Sequence, residues 1–422
     1  MKIAYFTDTY SPEVNGVAST LEKLSDYLGQ KEIRHVFFAP DYDAATAYHL
    51  PNGNPITNAL ATFADWEAKR SMPAHVARTI KTQSFSETKS IHRFPGIKVG
   101  VSPNSCLSFP KTRQIFELCD KFAPDLVHVT TELGIGYKGM KYALSRKLPL
   151  IMSYHTDFCK YLDYFGLGLF EPFVEMHLKR FHSCSNRTLV PSMYTMKQLL
   201  QKGYNNLGIW SRGIDTGNFN SGFRNEHIRN RLGIGDKFAF LYVGRLSPEK
   251  GLHMLHSAID KINRIFPGKT AFVFTGDGPY AEAIRQIGHD NVIMTGFNRG
   301  RELSEIYASC DLFAFPSGTE TFGNTCLEAM ASGLPIVGVN NGGVTDYLIH
   351  GENGLLSSDG DQDGFTANLI KLMNNPQLCR KLSERGHRTV LLRDWNTIFD
   401  GLLEEYRAVI YENATVTLSR AA

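Results

Sequence analysis

The 422-residue chain carries 45 Lys/Arg against 42 Asp/Glu, a formal charge of +3, with 42% hydrophobic and 21% charged residues. That balance excludes a collagenous, low-complexity or disordered chain and gives no whole-chain sign of a nucleic-acid binder. Its length predicts two domains. Short apolar runs alternate with helix-period segments almost throughout. Strands are expected at 3–6, 35–39, 91–94, 126–129, 150–153 and 188–190, then at 240–243, 272–275, 292–295, 312–315 and 336–339. Helices fit between them, for example at 18–28, 114–122, 252–265, 301–308 and 324–331, with a last one near 395–411. Strand alternating with helix predicts parallel, doubly wound sheets. Two such series predict an α/β chain of two Rossmann-like domains, 1–205 and 206–394, with the terminal helix 395–412 packing on either.

Residues 42–90 break the rhythm and are too long for an ordinary loop. The run Ala59-Leu-Ala-Thr-Phe-Ala-Asp-Trp-Glu-Ala68 has helical character. The segment is either a decorated surface excursion or a lid or acceptor-recognition element. Seven cysteines are scattered without a Cys-x-x-Cys pair, so neither a zinc site nor a disulfide framework is expected. Met1 runs straight into an apolar strand without a signal-peptide pattern, and no apolar run approaches a membrane span. The expectation is a cytoplasmic protein. Between Lys138 and Lys202 ten Lys/Arg face four Asp/Glu, a local excess of six positive charges. Such a bias suits an anionic substrate or an anionic membrane face.

The chemistry concentrates in two places. Glu320-Thr-Phe-Gly-Asn-Thr-Cys-Leu-Glu328 follows the apolar run Leu312-Phe-Ala-Phe315 and ends in a helix that stops at Gly333-Leu-Pro335. A strand-turn-helix aims bare N–H groups at an anion. A glutamate on either side could hold hydroxyls at the two ends of a ligand with an anionic middle, which is the shape of a nucleotide-sugar. Gly244-Arg-Leu-Ser-Pro-Glu-Lys-Gly251 puts Arg245 and Lys250 on one loop at a strand's carboxyl end, where ligands of open sheets bind. Arg supplies a planar fork and Lys a point charge for phosphate. Taken alone, that loop reads first as a surface turn with two solvated cations; beside the paired-glutamate turn that reading weakens sharply.

Other features are weighed the same way. Gly16 ends the first turn, Phe6 to Gly16, just before a helix, and permits close backbone approach or merely connects. His155, in Ser153-Tyr-His-Thr-Asp157, sits at another strand's end and is either structural or cleft-facing. His128 is expected in the core. Gly134-Ile-Gly-Tyr-Lys-Gly139 matches the dinucleotide fingerprint in outline, although its first glycine comes late. Asp41-Tyr-Asp43 resembles a metal pair only weakly. The stretch Gly168 to Phe181 carries an apolar stripe beside Lys179 and Arg180, predicting a helix on its own sheet or an interfacial one.

Together these motifs resemble the retaining GT-B glycosyltransferases of family 4, in particular bacterial mannosyl-, glucosyl- and sulfoquinovosyl-transferases that act on lipids. The likeness rests on Phe6 to Val17, Ser153 to Asp157, Gly244 to Gly251, Gly276-Asp-Gly-Pro279 and Glu320 to Gly333. It implies two Rossmann-like domains facing across a cleft, the first on the acceptor side. By the same likeness Glu320 holds the donor sugar, Glu328 the ribose, and Arg245 and Lys250 the diphosphate. Phe322, Gly323, Asn324 and Gly16 complete the phosphate site, and His155 contacts the transferred sugar. It implies a hexosyl transfer from GDP-mannose or UDP-glucose to a membrane glycolipid or cell-envelope precursor, with no metal and no cofactor. Peripheral contact with the inner face of the cell membrane follows. The base is expected near Gly296 and Phe297. A nucleotide-sugar epimerase, an NAD-dependent enzyme and a non-catalytic sugar or lipid binder are the rival readings.

Overall fold

Parallel strands covered on both faces need apolar side chains at every position. The runs that supply them form two sheets in the structure, a computed structural model that describes residues 1–13, 15–47, 80–98, 106–157, 159 and 168–421. The chain divides into two compact units: residues 1–190, 196–210 and 399–422, and residues 191–195 and 211–398. The boundary between the units falls after Trp210, because Leu207–Ile209 pairs with the first sheet as a short strand. The terminal helix Trp395–Ala421 lies mostly in the first unit.

In the first unit the strands are β1 (Lys2–Phe6), β2 (Arg34–Ala47), β3 (Lys81–Ser84), β4 (Lys89–Lys98), β5 (Cys106–Leu107), β6 (Leu126–Val129), β7 (Leu150–Ser153), β8 (Arg187–Val190) and β9 (Leu207–Ile209). Their order is β3-β4-β2-β1-β6-β7-β8-β9, with β5 on β4. The pairs from β4 through β9 are parallel, while β3 and β5 join antiparallel. Alternate residues Ala4, Phe6, Val36, Phe38, Val127 and Val129 build the core on one face. On the other face the terminal helix is tied down by polar contacts: Tyr406 Oη lies 2.6 Å from His128 Nδ1 and 3.1 Å from Tyr5 Oη. Ser153 Oγ lies 2.7 Å from His128 Nε2, so both ring nitrogens of this buried residue are bonded.

The second unit holds β10 (Phe238–Val243), β11 (Thr270–Thr275), β12 (Val292–Gly296), β13 (Leu312–Phe315), β14 (Ile336–Val339) and β15 (Leu355–Ser357). All are parallel, in the order β12-β11-β10-β13-β14-β15. That is the order of dinucleotide-binding sheets. Ala239, Leu241 and Val243 of β10 point into one core, and Phe240 and Tyr242 into the other.

One expectation needs correction. Strands β2, β3 and β4 enter the supposed excursion at 42–90 from both ends. The helix expected at 59–68 lies outside the described residues. The stretch 168–181 is a short turn, Gly168–Phe170, and a helix, Glu171–His182. Its Leu178 and Phe181 are buried, but Leu169, Phe170, Phe173 and Met176 are exposed, Leu169 at 91%.

Candidate functional site

In the second unit, connections from β10 and β13 run to opposite sides of the sheet, which opens a crevice at the carboxyl edge between them. The loop after β10 carries Arg245 and Lys250, and the loop after β13 carries Glu320. The structure brings these side chains together. Lys250 Nζ lies 2.6 Å from Glu320 Oε1, with Lys250 largely buried. Arg245 Nη2 lies 3.2 Å from Glu249 Oε1, and Glu249 is buried. Thr319 Oγ1 donates to Glu249 O at 3.1 Å and laces the two loops to each other. The cations that sequence singled out as solvated or functional are therefore held by carboxylates at the strand ends.

Glu320 leads into the turn Phe322–Gly323 and the helix Asn324–Ala331. Gly323 sits at φ 88°, ψ 60°, a left-handed conformation costly for any residue with a Cβ. A left-handed residue followed by helical ones makes successive N–H groups converge on a concavity suited to an anion. Helix polarity adds positive potential there. Glu328, on the helix's second turn, accepts from Tyr307 Oη at 2.8 Å. Burial pushes the Tyr307 phenol well above its ordinary range, with the Glu328 charge adding to it, so it remains a donor. One carboxylate on each side of the turn and two cations beside it match a ligand with hydroxyls at both ends and a diphosphate between.

Gly16 and His155 belong to the first unit. Gly16 opens the helix Gly16–Gln30, where Asn15 Oδ1 accepts from Val17 N and Ala18 N at 3.0 and 2.8 Å. His155 lies just beyond β7, half-buried, with the Trp210 ring 5.4 Å away at 60°.

The dinucleotide-like glycines have another use. Asp8 Oδ1 accepts from Ile135 N at 2.8 Å and caps the helix Gly134–Arg146, the place a pyrophosphate would take. A Cβ on Gly136 would come 1.8 Å from Thr131 O, and one on Gly139 2.3 Å from Phe6 Cγ. These glycines let the helix pack on its sheet. Burial raises the Asp8 carboxyl to about 6, against the lowering effect of its hydrogen bonds. Asp41 pairs with Lys81 Nζ at 2.9 Å.

Residues 224–389 match the family model Glycosyl transferases group 1, and residues 14–218 match Glycosyltransferase Family 4. The chain belongs to the family 4 glycosyltransferases. It is 31% identical over 316 residues to the sulfoquinovosyl transferase SQD2 of Arabidopsis thaliana, covering 72% of this chain and 61% of that relative's length. It is 27% identical to a GDP-mannose-dependent alpha-mannosyltransferase of Mycobacterium tuberculosis, covering 97% of each. Among solved structures, sucrose-phosphate synthase from Thermosynechococcus elongatus matches with a TM-score of 0.70 at 17% identity, over 97% of this chain and 99% of that one. The last likeness is one of fold, and the fold of this glycosyltransferase is GT-B. Among the described residues no helix is long and apolar enough to cross a membrane.

Sequence reasoning missed what braces the turn. Gly343 N donates to Glu320 O at 2.7 Å, and Tyr347 Oη reaches Phe322 O and Gly323 O. The pair Gly342-Gly343 after β14 was the only local signal for this contact.

Proposed function

We propose that this glycosyltransferase moves a hexosyl unit from a nucleotide-sugar to an acceptor hydroxyl with retention, forming an α-glycosidic bond. The observation that carries the proposal is the Lys250–Glu320 pair beside the Phe322–Gly323 turn at the crevice of the second sheet. The bond from the anomeric carbon to phosphate breaks, and the diphosphate leaves with the electron pair. Arg245, Lys250 and the turn's N–H groups stabilise the charge that builds there. Each such donor is worth about 3–4 kcal/mol in comparable sites. The acceptor oxygen forms the new bond on the face the diphosphate leaves, and its proton passes to a phosphate oxygen. Glu320 holds the sugar hydroxyls, Glu328 the ribose, and His155 the sugar near its anomeric carbon. Gly16 completes the phosphate site. No metal or cofactor takes part in this scheme, because the cations of the loop after β10 serve the leaving group.

GDP-mannose and UDP-glucose are the proposed donors; the full-length relative that uses GDP-mannose supports the first. A membrane glycolipid or cell-envelope precursor is the proposed acceptor, reached from the cytoplasmic face. The exposed Leu169, Phe170, Phe173 and Met176 support peripheral contact with the bilayer, with Lys179 and Arg180 beside them for anionic headgroups. The test is incubation with a panel of nucleotide-sugars and membrane lipid extract, with and without chelator, followed by NMR of the product. An α-linked glycolipid formed equally well in chelator supports the proposal. Donor epimerised without acceptor, or donor bound and never consumed, counts against it.

A further inference from the structure

The turn that faces the proposed diphosphate site is held from behind by one buried hydroxyl. Tyr347 Oη lies 3.1 Å from Phe322 O and 2.7 Å from Gly323 O. Burial pushes this phenol well above its ordinary range, so it stays protonated and donates. Each peptide unit is planar and trans, so its N–H points away from its C=O. The carbonyl of Phe322 shares its unit with the N–H of Gly323, and that of Gly323 with the N–H of Asn324. Gathering both carbonyls on one phenol therefore turns both N–H groups to the opposite side together. Among the described residues no protein acceptor is placed on either N–H.

The phenol is itself wedged. The Phe322 and Tyr347 rings stand 5.3 Å apart, and the Arg393 guanidinium lies 5.3 Å from the Tyr347 ring and 5.8 Å from the Phe322 ring. Val344 and Gly343, three and four residues earlier, close off the space under the turn. A Cβ on Gly343 would meet Thr321 O at 2.0 Å. The loop after β14 thus forms a rigid back plate for the Glu320–Gly323 segment.

We propose that Tyr347 is a positioning residue for glycosyl transfer: its hydroxyl aims the Gly323 and Asn324 N–H groups at the donor's diphosphate. This rests on the reading that the turn binds that diphosphate. Without the hydroxyl, the Phe322 carbonyl loses its partner while the Gly323 carbonyl keeps the Cys326 N–H at 3.0 Å, so the two peptide units are no longer held in common. The nucleoside end of the donor, which does not meet these N–H groups, keeps its affinity.

The experiment compares wild type, Tyr347→Phe and Lys250→Ala by calorimetric titration with UDP and GDP. Saturation-transfer NMR with uridine and guanosine reports the nucleoside alone. Tyr347→Phe keeps the ring and its stacking. It is expected to weaken the preferred diphosphate about tenfold, the value of one hydrogen bond lost from such a site, with the nucleoside unchanged. Unchanged diphosphate affinity overturns the inference, as does equal weakening of diphosphate and nucleoside, which marks general collapse. If Lys250→Ala also leaves the diphosphate untouched, the reading of the site itself fails. If only Tyr347→Phe is silent, the site stands and Tyr347 has no part in aiming it.

Discussion

Replacing Gly323 by alanine probes the turn most sharply, since its cost can be worked out from two independent terms. At φ 88° a Cβ is eclipsed by its own backbone, which costs about 1–2 kcal/mol. The same Cβ would stand 2.4 Å from Val344 Cγ1, far inside contact distance, and overpacking of this kind costs about 1–3 kcal/mol. The sum, about 2–5 kcal/mol, corresponds to about 4–20 °C in the melting of a unit this size. Differential scanning calorimetry of the full chain reads it as a lower transition for the second unit. Affinity for the nucleoside diphosphate should fall in the folded variant, because the strained turn no longer converges its N–H groups. Adding Val344→Ala removes the clash but not the backbone strain, so the double variant should recover part of the melting loss. A Gly323→Ala protein that melts and binds like wild type, or a double variant with no recovery, would refute the argument.

Three further outcomes follow from buried and exposed groups. Burial lowers His128 to about 3, so it stays neutral when folded while the unfolded chain takes up a proton below about 6.5; roughly 5 kcal/mol is present above that pH and lost as pH falls towards 3. A His128→Asn variant, followed by urea unfolding across that window, should show a flatter acid limb. Asp8 works in the opposite sense. Its carboxyl is raised to about 6, so roughly 3 kcal/mol of its contribution disappears as pH rises from 3.8 to 6. Asp8→Asn should therefore gain on wild type between pH 4 and 7, and a constant difference would contradict the assigned shift. Finally, the double variant Phe173→Ser with Met176→Ser should sediment less with vesicles containing anionic lipid, with binding that falls as salt is raised. Equal sedimentation of the variant and wild type would remove this face from the membrane account.

What the sequence made legible was local. The Glu320–Glu328 pattern lies within nine residues, punctuated by an apolar strand before it and Gly333-Leu-Pro335 after it, so its strand-turn-helix could be read directly. Strands β6, β7, β13 and β14 came out with their observed ends because each is a short, mostly apolar run, buried throughout, with His128 and Ser153 the polar members. The strands that escaped, β3, β5, β9 and β15, are two to four residues long, and β3 is exposed along its length. Tyr347 and Tyr307 lie about twenty residues from the groups they hold, and nothing in a one-dimensional pattern joins them. The glycines at 134–139 misled for the converse reason. Their spacing suits a pyrophosphate turn, but Asp8, more than a hundred residues earlier, fills the helix end.

The central claim is that Arg245, Lys250 and the Phe322–Gly323 turn bind a nucleoside diphosphate. Calorimetric titration of UDP and GDP into wild type, Arg245→Ala and Lys250→Ala tests it most directly. Wild type should bind one of the two, and each variant should bind it at least about tenfold more weakly, the loss expected for a charge-assisted hydrogen bond. Equal affinity in all three proteins, or no heat from either nucleotide with wild type, would contradict the account.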